Sequence, residues 1–223
     1  LAQIREQAAR VILCAPTLAA RNAACAAVQE QAGAELIHPY DDARVIAGQG
    51  TAALELVEQA GPFDALIAPV SGGGLLSGTA IATHGLDPGV RVLGGEPAQA
   101  ADAHASLRRG ALVTDIIPDT IADGLRAQLC ARTYAILRAH AVEVLLAGED
   151  GIVAAMRLVW DRLKLVVEPS GAVALAALIA GREGVAGLRI GVILSGGNVD
   201  LDRLPWQEPR FQRGLPTAAG GIA

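Results

Sequence analysis

The stretch "PVSGGGLLSG", residues 69–78, sets three consecutive glycines between a run of strand character and a run of helical character. Without Cβ atoms the chain can turn tightly there, and several backbone N–H groups can converge on one anion at a helix N-terminus. A phosphate-bearing ligand suits that arrangement, and a plain strand-to-helix turn is the other reading of the same residues. "LSGGNVD" (194–200) repeats the device after another strand-like run. There Ser195 offers a hydroxyl and Asn198 an amide, suited to a heteroaromatic nitrogen or a polar ring substituent, or else to capping their own turn. Both turns would lie at the carboxyl ends of parallel strands, the edge where open α/β proteins bind ligands.

In "GGEPAQAAD" (94–102), Glu96 and Asp102 stand six residues apart around a bend. Two carboxylates and an intervening carbonyl make a hard-oxygen set able to hold Mg²⁺ or Ca²⁺, while Asp102 also fits the cap of a following helix. "TIADGL" (120–125) joins a cap-like Thr to Asp-Gly, a loop that lines a pocket or merely turns the chain. Lys164 is the only lysine. It falls near the end of an expected helix among Leu163, Leu165, Val166 and Val167, where a cation suits the helix dipole and pairs with Asp161 or Glu168. His38, His84, His104 and His140 show no ligand spacing, so surface or supporting roles are expected.

These residues need a scaffold, and the hydrophobic pattern supplies one. Short aliphatic runs at 10–15, 34–39, 64–70, 91–97, 142–148 and 189–197 read as strands. Longer Ala-rich stretches at 17–32, 44–60, 74–84, 149–164 and 170–181 read as helices. The alternation implies an α/β fold with a mainly parallel sheet and flanking helices. "IHPYDD" (37–42) breaks the rhythm and marks a handover from a small lobe, 1–42, to a larger one, 43–206. The Gly- and Pro-rich tail, 207–223, lacks periodicity and is expected to be disordered.

The 223 residues are 52% hydrophobic with a net charge of −5, enough apolar material for a core and too little basic charge for a nucleic-acid partner. No apolar run reaches the length of a membrane span. Cys14, Cys25 and Cys130 form no CxxC pair, so neither a disulfide framework nor zinc is suggested, and a cytoplasmic setting is expected. Leu1 follows no methionine and no targeting pattern, as though the sequence starts inside a longer one.

Taken together, "HPYDDARVIAGQGT" (38–51), "PVSGGGLLSG", "GGEPAQAAD", "TIADGL", "LVWDRLKLVVEPSGAV" (158–173) and "ILSGGNVDLDRLPW" (193–206) resemble, in order and spacing, the serine racemase and threonine dehydratase family. These are pyridoxal-phosphate enzymes of the tryptophan-synthase-β-like fold. The resemblance spans nearly all of residues 1–206. It implies that the backbone of Ser71, Gly72, Gly73, Gly74 and Leu75 holds the cofactor phosphate, that Ser195 meets the pyridine nitrogen, and that Gly124 and Glu168 lie beside the ring. It also implies a divalent-cation site at Glu96, the Ala100 carbonyl and Asp102, and an approach of Arg21 to substrate. A neutral serine at the pyridine nitrogen suits elimination of a β-hydroxyl group.

The departures are equally definite. The family's Schiff-base lysine and the asparagine loop after it belong to an amino-terminal segment that this sequence does not contain, and Lys164 matches a different, non-catalytic lysine. The chain by itself is therefore expected to be inactive: that missing lysine both anchors the cofactor and takes the Cα proton. Ser71 stands where a glycine is common, and "EQAAR" (6–10) where the family has a Tyr-Gly-Ala turn. The expected role is part of a homodimeric ammonia-lyase or racemase acting on serine, threonine or 3-hydroxyaspartate. Two alternatives stand beside it: a pseudoenzyme that binds a phosphorylated ligand without chemistry, and a dinucleotide-binding domain with Glu96 as its ribose acid.

Overall fold

The computed structural model describes residues 5, 10–15 and 17–207; of the expected tail 207–223, Gln207 closes a 3₁₀ turn from Pro205 and the rest lies outside the described residues. The chain divides into two compact units, Leu1–His38 and Pro39–Ala223. The first unit is built on helix α1 (Leu18–Ala32), started by Thr17, whose hydroxyl accepts the Ala20 N–H at 3.2 Å, and stopped by Gly33 in the left-handed region. The strands expected at 10–15 and 34–39 are not formed. A strand exists through its ladder, and neither segment has a pairing partner among the described residues.

The second unit carries the sheet. Its strands are β1 (Ala65–Pro69), β2 (Arg91–Pro97), β3 (Glu143–Ala147) and β4 (Ile190–Val192), all parallel, in the order β3-β2-β1-β4. Every residue of β1 is buried, because both faces of a parallel sheet are covered by helices. The expected strands match within a residue at β1, β2 and β3. At β4 the ladder stops at Val192 where 189–197 was expected, and the chain then leaves the edge after the Ile193 N–H bonds to Ile67 O at 2.9 Å. Since β2 and β4 flank β1 on opposite sides, the strand order reverses beside β1, and the carboxyl edge at such a point is where open α/β sheets bind ligands.

The helices are α2 (Ala43–Ala60), α3 (Gly74–Leu86), α4 (Asp102–Arg109), α5 (Ala131–Ala139), α6 (Glu149–Leu163) and α7 (Pro169–Ala180). Asp42 caps α2 by accepting the Arg44 N–H at 2.8 Å. Helices α2 and α3 cross where Gly50 meets Gly78, each leaving room for the other's backbone. Helix α7 is apolar on nearly every side and is buried against the sheet, Ala174 lying on Gly95 of β2. Helix α5 was not expected as an element, and α4 only as a helix following Asp102, which stands in its first turn without capping it by side chain. Both are short and bury few side chains, and α4 is mostly polar, so their periodicity is weak in the sequence. Among the described residues no helix is long and apolar enough to cross a membrane.

Candidate functional site

The first glycine turn bridges β1 and α3. Gly73, the residue capping α3, has φ +89°, a conformation that L side chains rarely adopt. A Cβ there would also lie 2.7 Å from Leu129 Cδ2 and 2.8 Å from Thr133 Cβ, while one on Gly72 would strike the Tyr40 ring. The turn is thus clamped between Tyr40 and the start of α5. The Val70 N–H is spent on Gly95 O and the Ser77 N–H on Gly73 O, but among the described residues the amides of Ser71 to Leu76 reach no protein acceptor. These donors sit at the positive end of a 13-residue helix, which is what an anion needs.

Ser71, in the place where glycine was expected, turns its side chain out of the row. Its hydroxyl accepts the Ala127 N–H and donates to the Ala127 carbonyl, both at 2.9 Å, and its φ is not positive. The departure from glycine is accommodated because this hydroxyl fastens the turn to the 120–127 loop.

The second glycine turn lies at the end of β4 and packs on the start of α7. Glu168, capping α7, donates its N–H to Gly196 O at 3.0 Å. Burial pushes the Glu168 carboxyl above its ordinary value, and the Asp123 charge adds to that, against the Asn198 N–H. Two residues on, Ser170 is buried and accepts the Gly124 N–H at 3.0 Å. Gly124 and Ala127 belong to one loop, so residues 120–127 tie the two turns together. That loop is itself held by Glu149, which accepts the Ile121 N–H at 2.8 Å.

The carboxylate pair lies behind the first turn. Glu96 is 0% exposed and accepts the Ala103 and His104 N–H groups, each at 2.8 Å. Desolvation raises its pKa to about 8. Asp102 is 3% exposed, accepts the Leu129 N–H at 3.0 Å and is raised by burial to about 6. The Ala100 carbonyl accepts no hydrogen bond among the described residues. No cluster of three or more His, Cys, Asp or Glu able to hold a metal occurs among the described residues, so a cation here would use two carboxylates and a carbonyl. Glu96 turned inward onto α4 leaves the dinucleotide alternative without its ribose acid.

Other expected residues fall elsewhere. Arg21 lies in the first unit, on the wall of a cleft that it shares with Cys14 and Cys25. Lys164 ends α6 in the left-handed region, 78% exposed, with Asp161 at 3.7 Å. Tyr40, Ala127, Leu129, Thr133 and Ser170 shape the site without having been singled out. Ser170 could have been found, since "EPSG" puts a hydroxyl in the first turn of an apolar helix. Tyr40 carries no local signal.

Compared with known proteins, residues 1–196 match the family described as "Pyridoxal-phosphate dependent enzyme". The chain is 45% identical to the beta-hydroxyaspartate dehydratase of Paracoccus denitrificans over 91% of this chain and 64% of that protein. It is 44% identical to the serine racemase of Dictyostelium discoideum over 88% of this chain and 62% of that protein. The solved structure of maize serine racemase superposes with a TM-score of 0.87 at 39% identity, covering 92% of this chain and 64% of that one. The chain thus spans somewhat under two thirds of the length of these relatives.

Proposed function

The chain belongs to the family of pyridoxal-phosphate-dependent enzymes, and on that premise we propose that the carboxyl edge of its sheet holds pyridoxal 5′-phosphate for a reaction on a small hydroxy amino acid. The observation that carries this reading is the row of unengaged amides from Ser71 to Leu76, set beside a second glycine turn and joined to it through one loop. The amides of Ser71 to Leu75 would hold the phosphate, the Ser195 hydroxyl would meet the pyridine nitrogen, and Gly124 and Glu168 would border the ring. When bound, the cofactor supplies an electron sink at the substrate Cα. Ser195 would offer that sink a neutral hydroxyl in place of a carboxylate, which favours departure of a β-hydroxyl group. Ser71 and Ser170 hold the two walls of the site in register from behind.

The reaction in this reading is elimination of water from serine, threonine or 3-hydroxyaspartate to give a 2-oxo acid and ammonia, with inversion at Cα as the sister outcome. A dehydratase and a racemase among the relatives support this pair of outcomes. Residues 1–42 would be part of a small domain with Arg21 facing substrate, and residues 43–206 the cofactor-binding domain. The three cysteines are free, which supports a reducing, cytoplasmic setting, and the assembly would be a homodimer.

Cofactor binding is tested by titrating the chain with pyridoxal 5′-phosphate and following its ³¹P resonance. A distinct bound resonance that is lost in Gly73→Ala supports the reading, and free phosphate throughout overturns it. Activity is read on the full-length gene product as 2-oxo acid formed from each of the three substrates. Glu96, the Ala100 carbonyl and Asp102 fit Mg²⁺ or Ca²⁺, because two buried carboxyls and a free carbonyl lack a compensating cation. Mg²⁺ should raise the unfolding temperature of the chain and leave that of Glu96→Gln unchanged.

A further inference from the structure

At the amino edge of the sheet, opposite the glycine turns, the His84 and His140 imidazoles face each other Nδ1 to Nδ1 at 2.8 Å. His84 Nε2 lies 3.0 Å from the Val90 carbonyl, which can only accept. That nitrogen therefore carries the His84 proton, and His84 Nδ1 presents a lone pair. In the resting pair the His140 Nδ1–H donates to that lone pair. Moving this one proton to His140 Nε2 leaves two Nδ1 lone pairs facing each other. A histidine whose other N–H is tied to a backbone carbonyl is the arrangement by which metal sites fix a ligand's tautomer and raise its basicity.

We propose that His84 and His140 together bind a borderline-soft divalent ion, Zn²⁺, Ni²⁺ or Cu²⁺, through their Nδ1 atoms, with water completing the shell. Tetrahedral bonds of about 2.0–2.1 Å set the two nitrogens roughly 3.3 Å apart, so the nitrogens part by about half an ångström while the two rings turn to converge on the ion. The neighbourhood favours a cation. His84 is in the last turn of α3 and His140 caps the end of α5, so both helices present their negative ends. Glu143 lines the same cleft of about 210 Å³, paired with Arg91 at 3.2 Å. His104 shows the contrast: its Nδ1 meets the Val144 carbonyl at 2.8 Å with no second imidazole recorded beside it among the described residues.

With two protein ligands and an open cleft, the ion exchanges rather than being sealed in. Its position gives it a mechanical consequence. Helices α3 and α5 meet at their amino ends around Gly73 and Thr133, and the ion would fasten the same two helices at their carboxyl ends.

The test is a Zn²⁺ titration of the whole chain in excess Mg²⁺, which occupies hard-oxygen sites, followed by long-range ¹H–¹⁵N imidazole spectra. One equivalent should move the Nδ1 resonances of His84 and His140 together and leave those of His38 and His104 in place. His84→Gln and His140→Gln should each weaken Zn²⁺ binding about tenfold or more. Shifts confined to His38 or His104, no imidazole shift at all, or undiminished binding in either folded variant would overturn the proposal. The wild-type spectra decide the matter even if a variant does not fold.

Discussion

The two glycine turns look alike in sequence, and they do different work. In the first, Gly73 is required by its own backbone, which sits at positive φ, and Gly72 by the Tyr40 ring pressed against it; the result is a row of amides facing outward. In the second, no glycine has positive φ. Gly196 and Gly197 are small so that Glu168 and the Val166 carbonyl can approach, and the turn is shaped by the start of α7. A glycine run therefore reports either a conformation or a neighbour, and the two respond differently to a methyl group.

Gly73→Ala tests the conformational turn and should have the largest effect. It combines left-handed strain with overpacking against Leu129 and Thr133, about 3 kcal/mol or more together, seen as a large fall in unfolding temperature and loss of phosphate binding. Ser170→Ala tests the neighbour-shaped turn. It removes the Ser170 hydroxyl that accepts the Gly124 N–H, at a cost of up to about 1.5 kcal/mol, and denaturant titration should show this with phosphate binding retained. Gly196→Ala should cost less, about 1 kcal/mol, because the added methyl meets the end of a flexible Glu168 side chain. If Gly196→Ala proves as damaging as Gly73→Ala, the distinction between the turns fails.

The smallest effect concerns Asp42, which starts α2 close to Tyr40. Its hydrogen bonds with Arg44 hold its carboxyl down at about 2, from an ordinary value of 3.8. A depressed carboxyl contributes stability above pH 3.8 that is lost as pH falls through about 2. The unfolding temperature should therefore drop in that window, and drop less in Asp42→Asn. Because the first turn depends on Tyr40 and the second does not, the same acid step should disturb phosphate binding before it disturbs the environment of Trp160, whose indole N–H is held by the Val167 carbonyl.

Much of this was legible in the sequence because it is local. Three of the sheet strands were readable from continuous aliphatic runs, since strands buried on both faces need no alternation, and five helices followed from their period. Both turns and the residues on them could be named from spacing alone. The strands expected at 10–15 and 34–39 were misread for the complementary reason: an aliphatic run states that a segment can be a strand, and only a partner makes it one. Helix α5 escaped, and the extent of α4 with it, because a short helix resting on a few buried contacts owes its existence to what it packs on.

By itself, then, the sequence determined the α/β pattern, the glycine turns and the polar residues that flank them, all properties of neighbouring residues along the chain. The tertiary structure decided what joins them. It pairs Ser71 with Ala127 across 56 positions, Gly124 with Ser170 across 46, and His84 with His140 across 56. Contacts of that separation leave no periodic trace, because each residue type involved is compatible with many surroundings and only the folded chain selects one.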